Sequence, residues 1–230
     1  MNSCVADPAP FLLAIEGADG AGKATTAAAV GAALTTVGKR AQIMSFPRYR
    51  DTVGGHVLGD FLAGRLPHML DPREVAVLYA LDRFESRHAV ASAMASCDVL
   101  VFDRYIASNV AYQCAKVSDD EAPALANWIV DLETRQFSLP APTLSIYLDT
   151  DLDRARAMIA QKAKRSYTDA TYDEHEADIE LQRRVRARYA MLSEGTVLGR
   201  WLRVATAADG AMRTPDDIAR EIVAAIAITS

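Results

Sequence analysis

Residues Gly17–Thr25 form a glycine-rich segment that could bind phosphate, and they follow the apolar run Phe11–Ile15 almost directly. Glycines let successive backbone N–H groups turn inward around phosphate oxygens, and Lys23 adds a mobile cation. A helix beginning here would add the positive end of its dipole. The segment predicts a nucleoside triphosphate site; the alternative is a glycine-rich turn with a surface lysine. The assigned residues are Gly17, Ala18, Asp19, Gly20, Ala21, Gly22, Lys23, Ala24 and Thr25.

Ala24 departs from the usual form of such a loop. A Ser or Thr normally stands at this position, so that its hydroxyl can ligate Mg²⁺. Here the hydroxyl is missing, and Thr25 follows one position late. Nucleotide binding can survive because backbone amides do most of it, but the sequence leaves the metal geometry open.

Two more polar segments follow apolar runs. Phe46-Pro-Arg-Tyr49 follows the second run, and Asp103-Arg-Tyr105 ends the third. A carboxylate at the end of a buried strand must be paired, hydrogen-bonded or metal-linked, and Arg104 suits a bidentate grip on phosphate. The alternative is that Asp103 and Arg104 pair with each other. The next segment is predicted helical, with one polar and aromatic face formed by Tyr105, Ser108, Asn109 and Tyr112.

A second helix carries a possible base-binding pair. Asp71-Pro72 followed by Glu74 predicts a capped helix start. Within that helix, Tyr79 and Arg83 are four residues apart and share a face, so a ring and a guanidinium could hold a nucleobase. The alternative is a core tyrosine and a solvated arginine.

A strongly charged segment lies between Asp151 and Glu180. Its basic cluster could close over phosphates as a lid, at about residues 160–174, although a solvated helix face is the plainer interpretation. An acidic group follows, in which Asp173 and Glu176 could form another capping box. The basic residues are Arg154, Arg156, Lys162, Lys164 and Arg165.

These segments need a scaffold, and five apolar runs supply one. Runs that are apolar on both faces suit covered parallel strands, and the intervals are long enough for crossover helices. We predict an α/β fold, three-layered and doubly wound, with a five-stranded parallel sheet; ligands gather at the carboxyl ends of such strands. Ile218, Ile222 and Ile226 predict a terminal helix covering the sheet. The runs are Leu12–Ile15, Ala41–Met44, Val99–Phe102, Leu144–Leu148 and Trp201–Val204.

The composition narrows the class of protein. A formal charge of −5 over 230 residues argues against a general nucleic-acid or membrane-surface binder. No apolar run approaches the ~18 residues of a membrane span, and no signal peptide is evident. The three cysteines Cys4, Cys97 and Cys114 lack metal-ligand spacing and suggest reduced thiols. We expect a cytoplasmic protein, with a flexible tail over residues 1–10 and a single domain over residues 11–230.

Taken together, the motifs resemble the thymidylate kinase family of P-loop nucleoside monophosphate kinases, over about residues 11–205. The combination of the Asp-Arg-Tyr segment and the Phe-Pro-Arg-Tyr segment is specific to this family, whereas the glycine-rich loop alone is not. The matching segments are Glu16–Lys23, Phe46–Tyr49, Tyr79–Arg83, Asp103–Asn109 with Tyr112-Gln113, and Asp173–Glu176.

The resemblance implies a P-loop kinase fold with a helical lid, a homodimer, and transfer of the γ-phosphoryl of ATP to dTMP with Mg²⁺. It implies catalytic roles for Lys23, Asp19 and Arg104, and for lid cations, among which Arg156 aligns best and Arg165 is a further candidate. Tyr79 would stack on thymine, Arg83 and Asn109 would bond the base edge, and Tyr112 would crowd the 2′ position. The implied substrate contacts are Asp19, Phe46, Tyr49, Tyr79, Arg83, Arg104, Ser108, Asn109, Tyr112, Gln113 and Glu176. The implied metal ligands are Asp19, Asp103 and Glu176, the last two as outer-shell candidates.

Three other functions are weighed against this one. A nucleoside kinase needs a base for a 5′-hydroxyl, often a carboxylate just after the second strand, and Phe46–Tyr49 offers none. A GTPase-like switch would carry a guanine-reading Asn-Lys-x-Asp segment, which this sequence lacks. A binding-only relative is suggested by Ala24, but the other expected motifs are present.

Overall fold

The computed structural model describes residues 9–155, 157–158 and 179–229. Five parallel strands form one sheet in the order β2-β3-β1-β4-β5. The predicted runs are all strands, each extended by one or two residues. The strands are β1 (Phe11–Glu16), β2 (Ala41–Ser45), β3 (Val99–Asp103), β4 (Leu144–Asp149) and β5 (Arg200–Ala205).

Helices connect the strands as crossovers, and one short hairpin lies near the chain end. The last turn before β4 widens into a π-helical segment, Asp131–Gln136. The hairpin pairs β6 (Ala207–Ala208) with β7 (Ala211–Met212). The longer helices are α1 (Lys23–Thr36), α2 (Val53–Leu62), α3 (Pro72–Glu85), α4 (Arg87–Met94), α5 (Ile106–Cys114), α6 (Ala122–Val130), α7 (Ile179–Ser193) and α8 (Pro215–Thr229).

The sheet is covered on both faces, which gives the three layers that the sequence predicts. Alternate residues of each strand point to opposite faces. Leu13 and Ile15 of β1 pack in one apolar cluster with α1 and α8, whereas Leu12 and Ala14 pack in the other with α4, α5 and α7. The central strands β1, β3 and β4 are buried on both faces, which explains why they are apolar almost throughout, whereas the edge strands β2 and β5 keep exposed and polar residues.

Two predicted helix features are present in the structure. Ile218, Ile222 and Ile226 of α8 are buried against the sheet, so the terminal helix is confirmed. The Asp71 carboxylate accepts from the backbone of Arg73 and Glu74, and the capping box of α3 is present. The predicted lid at 160–174 lies outside the described residues. In the part that the structure describes, no helix is long and apolar enough to cross a membrane.

Sheet register brings the predicted motifs to one edge. Asp103 is in register with Ile15 of β1 on one side and with Ser45 of β2 on the other. The segments after β1, β2 and β3 therefore leave the sheet side by side at its carboxyl edge, where a doubly wound fold places its ligands.

Candidate functional site

The glycine-rich loop turns tightly between β1 and α1. Gly20 and Gly22 have positive φ of 76° and 82°, which glycine adopts without strain. A Cβ at Gly17 would lie 3.0 Å from the carbonyl oxygen of Leu148, so the loop packs closely on β4. No side chain caps the first turn of α1, and no acidic residue lies in it. Its N–H groups are therefore available to an anion, as the sequence predicts.

Lys23 is folded back onto this loop. Its Nζ donates to the carbonyl oxygens of Gly17 at 3.0 Å and Ala18 at 2.8 Å. Burial and the charge of nearby Arg104 lower the pKa of Lys23 to about 7. A phosphate anion at the loop would offer the ammonium group a stronger partner than these carbonyls.

Asp19 and Arg104 form an ion pair at the centre of the site. The second carboxylate oxygen of Asp19 accepts from Gln182 Nε2 at 2.7 Å, and Asp19 N donates to Gln182 Oε1 at 3.1 Å. Burial alone would raise the pKa of Asp19, but the charges of Arg104 and Lys23 outweigh it and hold that pKa below its usual value. The partner of Arg104 is thus Asp19, and the pairing of Arg104 with Asp103 that was the alternative is not observed.

Arg104 occupies a strained backbone position. Its φ is 64°, in the left-handed region that non-glycine residues rarely adopt. Two contacts hold the backbone there: Arg104 N donates to Ile15 O at 3.1 Å, and the next N–H, of Tyr105, donates to Glu16 Oε1 at 2.8 Å. The guanidinium then lies over the ring of Tyr112, 5.3 Å from its centroid. Strain of this kind persists where the surrounding structure fixes it, which is typical of functional sites.

Glu16 ties the glycine-rich loop to α5 and α7. It is fully buried and accepts from Ser108 Oγ at 2.6 Å and Tyr189 Oη at 3.0 Å as well as from Tyr105 N. Burial raises the pKa of Glu16, against the hydrogen bonds that favour its charged form. Ser108, predicted as a substrate contact, serves here as a partner of Glu16 and Tyr189.

The predicted base-reading residues lie in a second buried cluster. Arg83 donates through Nε and Nη2 to the two carboxylate oxygens of Glu133, at 2.5 and 2.6 Å. Asn109 Nδ2 donates to Glu133 Oε1 at 2.9 Å and to Ala76 O at 3.0 Å. Arg83 and Asn109 are each 1% exposed, so neither side chain is open to solvent in this structure. Tyr79 is half-buried and packs against the apolar cluster of α2 and α3.

The segment after β2 is anchored to α3 by Asp82. This carboxylate accepts from Arg48 N at 3.1 Å and from Thr52 Oγ1 at 2.5 Å. Burial raises the pKa of Asp82. Phe46 itself is buried against the rings of Phe102 and Tyr105, at centroid distances of 6.2 and 5.9 Å.

A cavity of about 450 Å³ lies beside this segment. Of the predicted substrate contacts it includes only Tyr49, and no residue of the glycine-rich loop lines it, so we do not place the substrate there. Its lining is Ile43, Met44, Ser45, Pro47, Arg48, Tyr49, Arg50 and Asp51.

One face of α5 carries unsatisfied polar groups. Among the described residues, the buried side-chain atoms without a hydrogen-bond partner include Tyr105 Oη, Asn109 Oδ1 and Gln113 Nε2, all from α5 or its N-cap. Buried polar atoms are nearly always paired, because an unpaired one costs free energy. Such a concentration on one helix face is what a site for a polar ligand would leave.

Comparison with known proteins decides the family. A sequence model described as "Thymidylate kinase" matches residues 15–208, most of the chain. The chain belongs to the thymidylate kinase family. The thymidylate kinase of Mycobacterium tuberculosis (strain ATCC 25618 / H37Rv) is 34% identical over 200 residues, covering 86% of this chain and 93% of that relative.

Other members of the family agree. The thymidylate kinase of Leifsonia xyli is 34% identical over 196 residues, covering 80% of this chain and 81% of that relative. A solved thymidylate kinase structure from Candida albicans matches with a TM-score of 0.70, covering 96% of this chain and 92% of that one. At 21% identity, the latter supports the thymidylate kinase fold alone.

Several site residues were missed by sequence reasoning. Glu133 and Gln182 are buried and hold the predicted site residues Arg83, Asn109 and Asp19. Nothing in the local sequence of Glu133 or Gln182 distinguishes them from surface positions. Glu16 and Asp82 stood inside quoted motifs without an assigned role.

The carboxylates that could hold a metal differ in how many of their oxygens are already hydrogen-bonded. Both oxygens of Asp19 are engaged, by Arg104 and Gln182. Asp103 is half-buried and accepts from Ser45 Oγ at 3.4 Å, which leaves it acceptor capacity for water or a hard cation. Among the described residues, no group of three or more His, Cys, Asp or Glu side chains is placed to hold a metal ion. Glu176, Arg156 and Arg165 lie outside the described residues.

Proposed function

We propose that this member of the thymidylate kinase family transfers the γ-phosphoryl group of ATP to dTMP, giving ADP and dTDP, within the synthesis of dTTP. The observation that carries the proposal is the meeting of an open helix N-terminus, Lys23 and Arg104 at one sheet edge. Together they supply hydrogen-bond donors and positive charges around a position where two phosphate groups could meet.

In this proposal ATP is bound by the loop Gly17–Thr25. The N–H groups of α1 and Lys23 hold its phosphates, and Lys23 exchanges its loop carbonyls for phosphate oxygens. Arg104 exchanges its ion pair with Asp19 for one with the phosphate of dTMP. Its guanidinium is held by the strained backbone and is already shielded from water on one side by the Tyr112 ring. Asp19 is then released toward the sugar or the metal-bound phosphates.

The base and sugar would lie along α5. Tyr79 stacks on the base, Arg83 and Asn109 reach its edge, and Phe46, Tyr49, Ser108 and Gln113 shape the surroundings. Tyr112 crowds the 2′ position of the sugar. Because Arg83 and Asn109 are buried, substrate entry in this proposal opens the region around them.

Chemistry at this site needs little from a general base. The nucleophile is already an anionic phosphate oxygen, so catalysis consists of positioning and charge neutralisation. Lys23 and Arg104 supply cations from the described residues. Arg156 and Arg165 are proposed to add charge from the lid, whose closure would exclude water as an alternative acceptor.

Asp103 is the residue proposed to hold Mg²⁺, directly or through water, with Asp19 and Glu176 as further candidates. The ion would supply neutralisation of the transferred phosphoryl charge. We also propose a homodimeric and cytoplasmic protein that uses neither nucleic acid nor membrane; light scattering in solution tests the dimer.

The deciding experiment measures ADP release from ATP and Mg²⁺ with each nucleoside monophosphate, with thymidine, and with no acceptor. Turnover with dTMP far above the rest is the expected result. Preference for another monophosphate would retain the kinase and overturn the base-site assignment. Preference for thymidine would indicate a nucleoside kinase, and ATP binding without turnover a binding-only protein.

A further inference from the structure

Glu133 is a buried carboxylate that the proposed reaction does not use. It lies in the π-helical segment Asp131–Gln136, is fully buried, and accepts three hydrogen bonds from Arg83 and Asn109. A π-helical turn is uncommon and often occurs at functional sites. Here the widened turn delivers a carboxylate from the end of α6 to the two residues expected at the base edge.

These contacts determine which way the Asn109 amide faces. Its Nδ2 lies 2.9 Å from Glu133 Oε1 and 3.0 Å from Ala76 O, and both of those atoms are acceptors. The opposite orientation would place the amide oxygen against a carboxylate and a carbonyl, so the amide cannot turn over. The oxygen Oδ1 is left buried and without a partner among the described residues.

Glu133 restricts Arg83 in the same way. Because Nε and Nη2 are held by the carboxylate, Nη1 is the guanidinium nitrogen whose donors Glu133 does not take. The cluster therefore offers a ligand one fixed acceptor, from Asn109, and donors from Arg83.

We propose that Glu133 is a positioning residue that fixes the hydrogen-bonding polarity of the base site, and so selects pyrimidines with an N3–H donor over cytosine. Thymine and uracil present a donor at N3 and an acceptor at O4, whereas cytosine presents an acceptor at N3 and a donor at N4. An acceptor locked at Asn109 pairs with the first pattern and opposes the second. The inference rests on the proposed function, since it assumes that the base reaches Asn109.

Glu133→Gln tests this polarity with little change of shape. The new amide can present N–H₂ to Asn109, which removes the lock and allows the Asn109 amide to turn. We expect KM for dTMP to rise at least ~10-fold with a much smaller change in kcat, the scale of a lost hydrogen bond to a charged group. We also expect the ratio of kcat/KM for dTMP to that for dCMP to fall at least ~10-fold, because the two substrates respond in opposite directions.

Matched variants separate this role from a purely structural one. Asp131→Asn makes the same change two residues away, at a carboxylate that pairs with exposed Arg135, and should keep the wild-type ratio. Glu133→Asp keeps the charge that Arg83 needs but withdraws it from Asn109, and should lower the ratio even if Glu133→Gln does not fold. Thermal denaturation of each variant confirms the folded state.

The outcomes are distinct. A wild-type dTMP-to-dCMP ratio in folded Glu133→Gln, or in Glu133→Asp where the amide variant does not fold, would overturn the positioning role. Failure of the wild-type protein to use dTMP at all would instead overturn the proposed function, and this is measured on the wild-type protein alone.

Discussion

Lys23 Nζ lies 2.8 Å from the carbonyl oxygen of Ala18, so this lysine is hydrogen-bonded to the backbone of its own glycine-rich loop. The ammonium group is buried and lies near the positive charge of Arg104, and both effects lower the pKa of Lys23 to about 7. Without nucleotide the site therefore carries a lysine that is partly neutral at physiological pH.

Nucleotide binding is expected to charge this lysine. The phosphates of ATP favour the ammonium form and raise the Lys23 pKa, so binding at about pH 8 should take up a proton, since ATP is by then fully ionised. The sign for affinity follows: ATP binding weakens as pH rises above the free-site pKa of about 7. Calorimetry in buffers of different ionisation enthalpy measures the uptake. Lys23→Arg, which stays charged, should abolish it, and equal uptake in that variant would assign the proton elsewhere.

Arg104 is expected to contribute strongly to transition-state stabilisation. Arg104→Ala removes a cation that the strained backbone and Tyr112 hold in place, and should lower kcat/KM at least ~100-fold, or about 2.7 kcal/mol. Steady-state kinetics with dTMP varied measures the loss. Arg203→Ala, at an exposed arginine paired with Asp149, is the control and should stay near wild type. Near-wild-type turnover of Arg104→Ala would remove this residue from the phosphate site.

Tyr112 is expected to select deoxyribose through its ring. The ring lies beneath Arg104, and its hydroxyl is buried. Tyr112→Ala should raise kcat/KM for ribo-TMP relative to dTMP, whereas Tyr112→Phe should leave that ratio nearly unchanged because the ring remains. Kinetics with the two acceptors distinguish the variants, and continued exclusion of ribo-TMP by the alanine variant would contradict a steric cause.

The metal site can be tested by adding a hydroxyl group at Ala24. The residue is exposed in the first turn of α1, so a serine hydroxyl meets no steric obstacle there. Ala24→Ser should lower the Mg²⁺ concentration needed for half-maximal turnover, by restoring a ligand that the loop lacks. Ala28→Ser, which adds the same hydroxyl at an exposed position about one turn later in α1 and outside the loop, is the control. An unchanged magnesium titration would indicate that Asp103 and the phosphates suffice.

Two glycines of α2 should differ sharply in their tolerance of a methyl group. A Cβ at Gly54 would lie 2.6 Å from Asp82 N and 2.9 Å from Leu78 O, both backbone atoms of α3, so Gly54→Ala must force the helices apart. We expect it to destabilise the fold by about 1–3 kcal/mol or more. At Gly59 the nearest atom is Tyr49 Cδ1 at 3.6 Å, so Gly59→Ala should be neutral or stabilising by up to ~1 kcal/mol. Urea unfolding measures both, and equal effects would contradict the close approach of α2 and α3.

Much of this architecture follows from local sequence patterns. Five apolar runs suit the strands of a covered parallel sheet, and the helix starts at Asp71 and after Gly22 follow from cap and glycine chemistry. Because parallel strands end at one edge, the meeting of the glycine-rich loop, Phe46–Tyr49 and Asp103–Tyr105 followed from the order of the runs alone. The sequence by itself thus determined the fold class and the sheet edge at which these segments meet.

The tertiary structure decided which of those residues are paired. Arg104 bonds Asp19 rather than its neighbour Asp103, and Arg83 bonds Glu133, fifty positions away along the chain. Charges separated in sequence meet only where packing removes them from water, and the cost of burying them forces a partner of opposite charge to be present. No local pattern encodes that choice. For this reason the sequence alone could indicate Arg83 and Asn109 as candidates. Only the folded chain revealed Glu133, which accepts hydrogen bonds from both side chains and so fixes their orientation.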